Sequence, residues 1–247
     1  MPAPPFPDVL PVFPLTGSLL LPGNYLPLNV FEPRYRNMVA DALAGERTIG
    51  MIQPRLPDPA DNWGSDQSLL RQATLPVAEP TTGLRNLGFW EEEQDPELYA
   101  IGCAGAIDRW EPQPDGRYLI VLRGLARFRV GGELPLHRGY RRVRADYAEF
   151  AADLEEPETP LDPGPVLAAV RAFSRAHGLE LDFTLLSGLG GITLLNGLAA
   201  ALPFGPAEKQ ALLEAAAPAE REHLLLSLLE MGVPAGPRER YVPPTVH

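Results

Sequence analysis

Lys209 is the only lysine in the 247-residue chain, and this excludes several chemistries at once. A phosphate-cradling P-loop needs Gly-Lys-Ser/Thr so that the ammonium can neutralise the terminal phosphates, whereas Lys209 lies between Glu208 and Gln210. A Ser-Lys nucleophile pair needs a desolvated lysine with a depressed pKa; on a helix beside Glu208, Lys209 reads as a solvated surface group. Cys103 is the sole cysteine, set between Gly102 and Ala104 in an apolar run, which reads as an inert buried thiol. His137, His177, His223 and His247 share no ligand spacing, so neither a metal site nor a cofactor is expected. His177, just before Gly178, suits a cation at a helix C-terminus. The carboxylates at Glu91, Glu92, Glu93 and Asp95, and from Asp153 to Asp162, lie in polar stretches where nothing drives their pKa values apart for acid–base work. No catalytic constellation emerges, and the chain is expected not to be an enzyme.

Binding is the remaining class. Arg123, Arg127, Arg129, Arg141, Arg142 and Arg144 make one stretch locally basic, which raises the alternative of an RNA-binding module. Alternating arginines on strands suit the solvent face of a sheet, however, and a formal net charge of −11 repels a polyanion. Trp63, Phe89 and Trp90 form an aromatic set inside a long irregular stretch, beside Glu91, Glu92 and Glu93. Aromatic anchors on a loop suit recognition of apolar peptide segments. With Phe31 and Arg34 they make the expected peptide- or partner-binding surface.

The elements that must carry these residues begin with strands at Val9–Leu15, where Pro11 and Pro14 suit a sheet edge, and at Leu26–Phe31. A helix over 33–44 starts at Pro33 and buries Tyr35, Met38, Val39 and Leu43, with Gly45 closing it. Thr48–Gln53 is a strand; Arg55–Glu97 is an irregular connection. Tyr99–Trp110, Arg117–Arg123, Phe128–Leu134 and Val143–Phe150 complete a β-rich run, pointing to a small closed or half-closed barrel. An acidic, proline-rich linker over 151–164 separates this 1–150 β-domain from a helical bundle over 165–233 and a frayed tail over 234–247. Gly178, Asp182, Pro206 and Pro218 mark helix boundaries in the bundle. The uncharged stretch Phe183–Ala207 is broken by glycines and Pro203, so it reads as buried helices and not a membrane span. With no secretory signal and no possible intramolecular disulfide, the expected location is the cytoplasm.

The run Leu10-Pro11-Val12-Phe13-Pro14-Leu15, then Leu21-Pro22-Gly23, Pro27-Leu28 and Phe31-Glu32-Pro33-Arg34-Tyr35, resembles the Lon protease amino-terminal domain family. Ile101-Gly102-Cys103-Ala104-Gly105-Ala106-Ile107, Asp115-Gly116-Arg117-Tyr118, Leu122-Arg123-Gly124 and Arg127-Phe128 are similar to its later strands. Leu195-Asn196-Gly197-Leu198-Ala199 and the run Pro206 to Glu214 are similar to stand-alone bacterial members. The resemblance covers about residues 8–231; the connection from Ser65 to Asp95 is longer than in compact relatives, and Ala106 replaces an arginine. It implies an α+β fold: a PUA-like β-barrel with one early helix, followed by an all-α bundle. It also implies a protein-binding module that takes unfolded polypeptide or a partner protein, without the ATPase and peptidase parts of full-length Lon. The alternatives are an RNA-binding PUA-like module and an undetected hydrolase.

Overall fold

A computed structural model of the chain describes residues 6–55, 96–155 and 161–233. Val9–Pro14 (β1) and Tyr25–Val30 (β2) are followed by the helix Pro33–Ala44 (α1). Thr48–Ile52 (β3) returns parallel to β1, with Val12 opposite Gly50. Together β2 and α1 are thus the crossover that a parallel pair requires. Ile101–Pro112 (β4), Tyr118–His137 (β5) and Tyr140–Asp146 (β6) then pair antiparallel in succession. The sheet order is β2-β5-β4-β3-β1-β6, and β5 also pairs with β6. The sheet therefore curls round on itself. It is not a regular closed barrel, because β2 stays outside the curl as an open edge and register shifts interrupt the β4–β5 and β5–β6 ladders. The α+β class stands.

Two local expectations need correcting. Pro11 and Pro14 do not mark a sheet edge, since β1 lies between β3 and β6. Each proline still avoids a lost ladder bond, because β6 pairs with Val9–Val12 and β3 with Val12–Pro14. Pro11 and Pro14 therefore each have a neighbour on one side only, which is where a residue without an N–H is tolerated. Among the described residues the edge is β2, which carries Pro27 and pairs only with β5. The separate strands expected at 117–123 and 128–134 are one strand, β5, which runs through Gly124 without a break. A Cβ at Gly124 would lie 2.1 Å from the Leu21 carbonyl oxygen, so glycine is there to admit the β1–β2 loop. Gly45 ends α1 as expected, with φ −122°, outside the left-handed region. The turn into β3 is made instead by Arg47 at φ 53°.

Inside the curl, Phe128 is fully buried against Leu10, Val12 and Val143. Gly50 and Gly102 make room for its ring: a Cβ at Gly102 would lie 2.7 Å from its Cζ. On the outer side, α1 buries Tyr35, Met38, Val39 and Ala42, while Leu43 is half-buried at the helix edge.

Ala148–Leu154, partly within the stretch expected as linker, is a 3₁₀ helix, so the last strand stops at Asp146. Five helices follow: Pro163–His177 (α2), Phe183–Ser187 (α3), Gly191–Ala201 (α4), Pro206–Glu214 (α5) and Pro218–Gly232 (α6). Proline near the first position starts α2, α5 and α6. Asp182 caps α3 by accepting from the Thr184 and Leu185 amides, and Gly178 stops α2 in the left-handed region at φ 65°. Among the described residues no helix is long and apolar enough to cross a membrane. The helices and the outer side of the sheet share one core, in which Phe13, Leu122, Val170, Leu195 and Leu225 belong to a single cluster.

Candidate functional site

Where the helices cover the sheet, the seam is polar and buried. Arg127 of β5, expected on a solvent face, is 2% exposed. Its Nε and Nη2 donate to Asp153 of the 3₁₀ helix, with an Nη2–Oδ1 distance of 2.8 Å. Its Nη1 donates to the Leu213 and Ala215 carbonyls at 3.0 and 2.5 Å, satisfying acceptors that the end of α5 leaves open. Arg221 of α6 donates from Nε to the Leu212 carbonyl at 2.9 Å and from Nη1 to Asn196 Oδ1 at 3.0 Å. Burial first, and then the neighbouring Arg127 charge, pull its pKa down to about 10. Asn196 in turn donates to the Pro22 carbonyl, and Gln53, just after β3, donates from its Nε2 to Gln210 Oε1 of α5 at 3.2 Å. These buried guanidinium and amide groups thus satisfy one another and tie the helices to the sheet.

The nucleophile candidates fall into the same seam. Cys103 is buried in β4, and desolvation pushes its thiol far up, which leaves no thiolate to react. Lys209 is not the solvated group expected. It is half-buried, and its Nζ donates to the Gly17 carbonyl at 2.9 Å and the Ala200 carbonyl at 3.1 Å. Burial lowers its pKa below the ordinary value. Glu208 does not flank it as a counter-ion but turns back to accept from the Gly205 amide. No serine hydroxyl is among the partners of Lys209. His177 stacks on Phe173 at 4.2 Å and its Nε2 bonds the Gly232 carbonyl. Among the described residues no three His, Cys, Asp or Glu side chains gather as a metal site.

The basic stripe is half neutralised. Arg129 pairs with Glu149 at 2.7 Å, which holds that carboxyl below its usual range. Arg141 is buried with Glu133 at 2.5 Å and donates to the Pro96 carbonyl. With Arg127 also paired, half of the six stripe arginines are committed to ion pairs.

Exposed apolar residues gather elsewhere, at the open edge. Tyr25, Pro27 and Asn29 point to one face of β2 by strand alternation, opposite Arg123, Val121 and Leu119 of β5. Tyr25 is 59% exposed and Leu119 42% exposed. Phe31, the residue after β2, is 60% exposed. Two turns of α1 beside it are held in place by the β5–β6 hairpin. Arg138 pairs with Asp41 and Asn37, and the Tyr140 hydroxyl donates to Asp41 at 2.9 Å. Burial, then that hydrogen bond, push the Tyr140 phenol up to about 12. Arg34 pairs with Glu32 at 3.0 Å and its guanidinium lies 4.7 Å from the Tyr35 ring centroid.

Of the expected surface, Phe31 and Arg34 thus come together at the start of α1; Trp63, Phe89 and Trp90 lie outside the described residues. The sequence reading missed Tyr25 and Leu119. Strand alternation through Leu26 and Leu28 would have turned Tyr25 outward.

Comparison with known proteins gives this surface a context. The chain is 32% identical over 146 residues to Lon protease 2 of Sorangium cellulosum, which covers 58% of this chain and 14% of that protein. Lon protease 2 of Myxococcus xanthus is 27% identical over 152 residues, covering 62% of this chain and 14% of its own length. The chain therefore spans about one seventh of the length of these relatives. The fold is similar to that of a Lon N-terminal domain protein from Xanthomonas campestris, with a TM-score of 0.53 at 23% identity over 89% of this chain and 97% of that one. It is also similar to the N-terminal domain of a Mycobacterium avium complex Lon protease, with a TM-score of 0.52 at 16% identity over 90% and 98%. Residues 9–231, nearly the whole described chain, match the substrate-binding domain of the ATP-dependent protease La (Lon), and it is to this family that the chain belongs.

Proposed function

We propose that the chain is a non-catalytic polypeptide-binding module that takes extended, apolar stretches of unfolded chains at the β2 edge. The observation that carries this is the exposure of Phe31 and Tyr25 at 60% and 59%, on and just after the strand that forms the open edge of the sheet among the described residues, in a family described by its substrate binding. Without chemistry, affinity comes from apolar anchors on a scaffold that keeps them ordered. Here β5 holds β2, and the β5–β6 hairpin holds α1. The family likeness and the seam, whose polar groups are spent on structure, both support a binding role over a hydrolytic one. Trp63, Phe89 and Trp90 extend the same surface in this reading, with Glu91, Glu92 and Glu93 favouring partners whose apolar stretch is flanked by basic residues.

The test is fluorescence anisotropy with dye-labelled casein as an unfolded probe and a folded globular protein as the control. Casein should bind and the folded control should not. Phe31→Asp and Tyr25→Asp should each weaken casein binding about tenfold, the effect of removing an interface anchor. Unchanged affinity in both variants, or no casein binding by the wild type, would retire the proposal.

A further inference from the structure

Helix α2 carries a second feature, unrelated to the β2 edge. Arg171 and Arg175 stand one turn apart on its exposed face, and neither is in an ion pair among the described residues. Between α2 and the segment leading into α3 opens a cleft of about 770 Å³, lined by Arg171, Ser174, Arg175, Leu179, Leu181 and Phe183. That is within the range of about 300–1,000 Å³ usual for ligand sites. A second hollow of about 390 Å³ shares Arg171 and Arg175 with it, so the two cations stand where the hollows meet. Arg171 is stacked on the Phe183 ring at 4.5 Å, which keeps its guanidinium over the cleft.

Ser174 is the buried polar residue of the cleft wall. It lines the cleft, is 3% exposed, and its hydroxyl has no hydrogen-bond partner among the described residues. An unpaired buried hydroxyl is costly in a protein and is ordinarily satisfied.

The charges around the cleft narrow the ligand. Two arginines one turn apart are suited to grip a single carboxylate through paired, charge-assisted hydrogen bonds. Glu180 and Asp182 also line the cleft. Asp182 is committed to the amides of Thr184 and Leu185, while Glu180 is exposed and would repel a run of negative charge such as a nucleic acid or an acidic tract. Leu179, Leu181 and Phe183 favour an apolar group beside the carboxylate. One carboxylate with an apolar side chain next to it is the chemistry of a polypeptide's free C-terminus, and terminal-carboxylate capture is a recurrent recognition mode.

We propose that the α2–α3 cleft binds the free C-terminus of a polypeptide that ends in an apolar residue. The carboxylate lies between Arg171 and Arg175, and the last side chain packs on Leu179, Leu181 and Phe183. This rests on the polypeptide-binding reading above, but places the chain end on different elements from β2.

The test uses the full chain and three short labelled peptides: one ending in Leu-Phe with a free carboxylate, the same peptide as its C-terminal amide, and an amidated one with an internal aspartate. The free acid should bind at least about tenfold more tightly than either amide, the gain expected of a charge-assisted carboxylate contact. Arg175→Gln, at an exposed position, should abolish that difference, and Arg175→Lys should recover part of it. Equal binding of acid and amide, or a difference that survives Arg175→Gln, overturns the proposal. An internal aspartate that binds as well as the free acid also overturns it, by making the ligand an acidic side chain. Casein held at Phe31 with no acid–amide difference would retire the cleft alone; failure of casein and of every peptide would retire both.

Discussion

The seam between sheet and helices and the rim along β2 and Phe31 distribute polarity in opposite ways. At the seam, Arg127, Arg221, Asn196 and Gln210 are buried. At the rim, Tyr25 and Phe31 face solvent. Both are departures from the ordinary partition of side chains, in which charged groups are outside and large apolar patches are covered. The seam satisfies its departure internally, since the Arg127 guanidinium meets Asp153 and the carbonyls at the end of α5. The rim has no such internal answer. A buried charge with its partners in place therefore marks a joint, and an exposed aromatic on an ordered edge marks a place for something else to bind.

This contrast can be broken most directly at Arg127. Arg127→Ala should destabilise the chain by about 3–5 kcal/mol, because it leaves Asp153 buried and unpaired, read as a shift in the urea midpoint. A loss below about 1 kcal/mol would make the seam incidental to stability. Met38 tests the scaffold beneath the rim: Met38→Ala should cost about 2–5 kcal/mol by leaving a cavity under α1, and a negligible cost would mean that its face of the helix is misassigned. Phe31→Ser should do the reverse, changing stability by no more than about 0.5 kcal/mol while weakening capture of unfolded polypeptide. A large stability loss there would turn the rim into core.

The smallest effect concerns Lys209. Its folded pKa is lowered from 10.5 by burial. Between the folded value and 10.5 the unfolded chain holds more protons, so stability contributed by this group rises with pH across that window. Below the window the whole cost of burying the ammonium is present. As the only lysine, it gives a single side-chain ε-carbon NMR signal whose titration midpoint should lie below 10.5. A midpoint at or above that value would show that the ammonium is solvated, and Lys209→Met should flatten the alkaline rise.

Much of the scaffold was legible in local signals. Pro33 with the Tyr35, Met38 and Val39 spacing defined α1, and Asp182, Pro206, Pro218 and Gly178 placed helix ends where they occur. The burial of Arg127 was not legible, because strand alternation says which face a residue takes but not what covers that face. Its acceptors, at Leu213 and Ala215, lie more than eighty residues along the chain. The continuity of β5 through Gly124 was not legible for a similar reason: a glycine that ends a strand and one that admits another backbone look alike in sequence, and only the Leu21 carbonyl distinguishes them. Of the candidate surface, Phe31 and Arg34 were readable from a local motif. The α2–α3 cleft was not, since no local pattern brings Phe183 over Arg171.

The position of β1 has a consequence for how the chain is made. Its antiparallel partner is β6, with Val9 opposite Arg144, so the strand that leaves the ribosome first must wait for one of the last strands of the sheet. The meander of β4, β5 and β6 closes through short hairpins and can form quickly, whereas bringing β1 to β6 pays the entropy of a long loop. Until Tyr140–Asp146 has emerged, the β6 side of β1 is a bare edge, open to pairing with another chain.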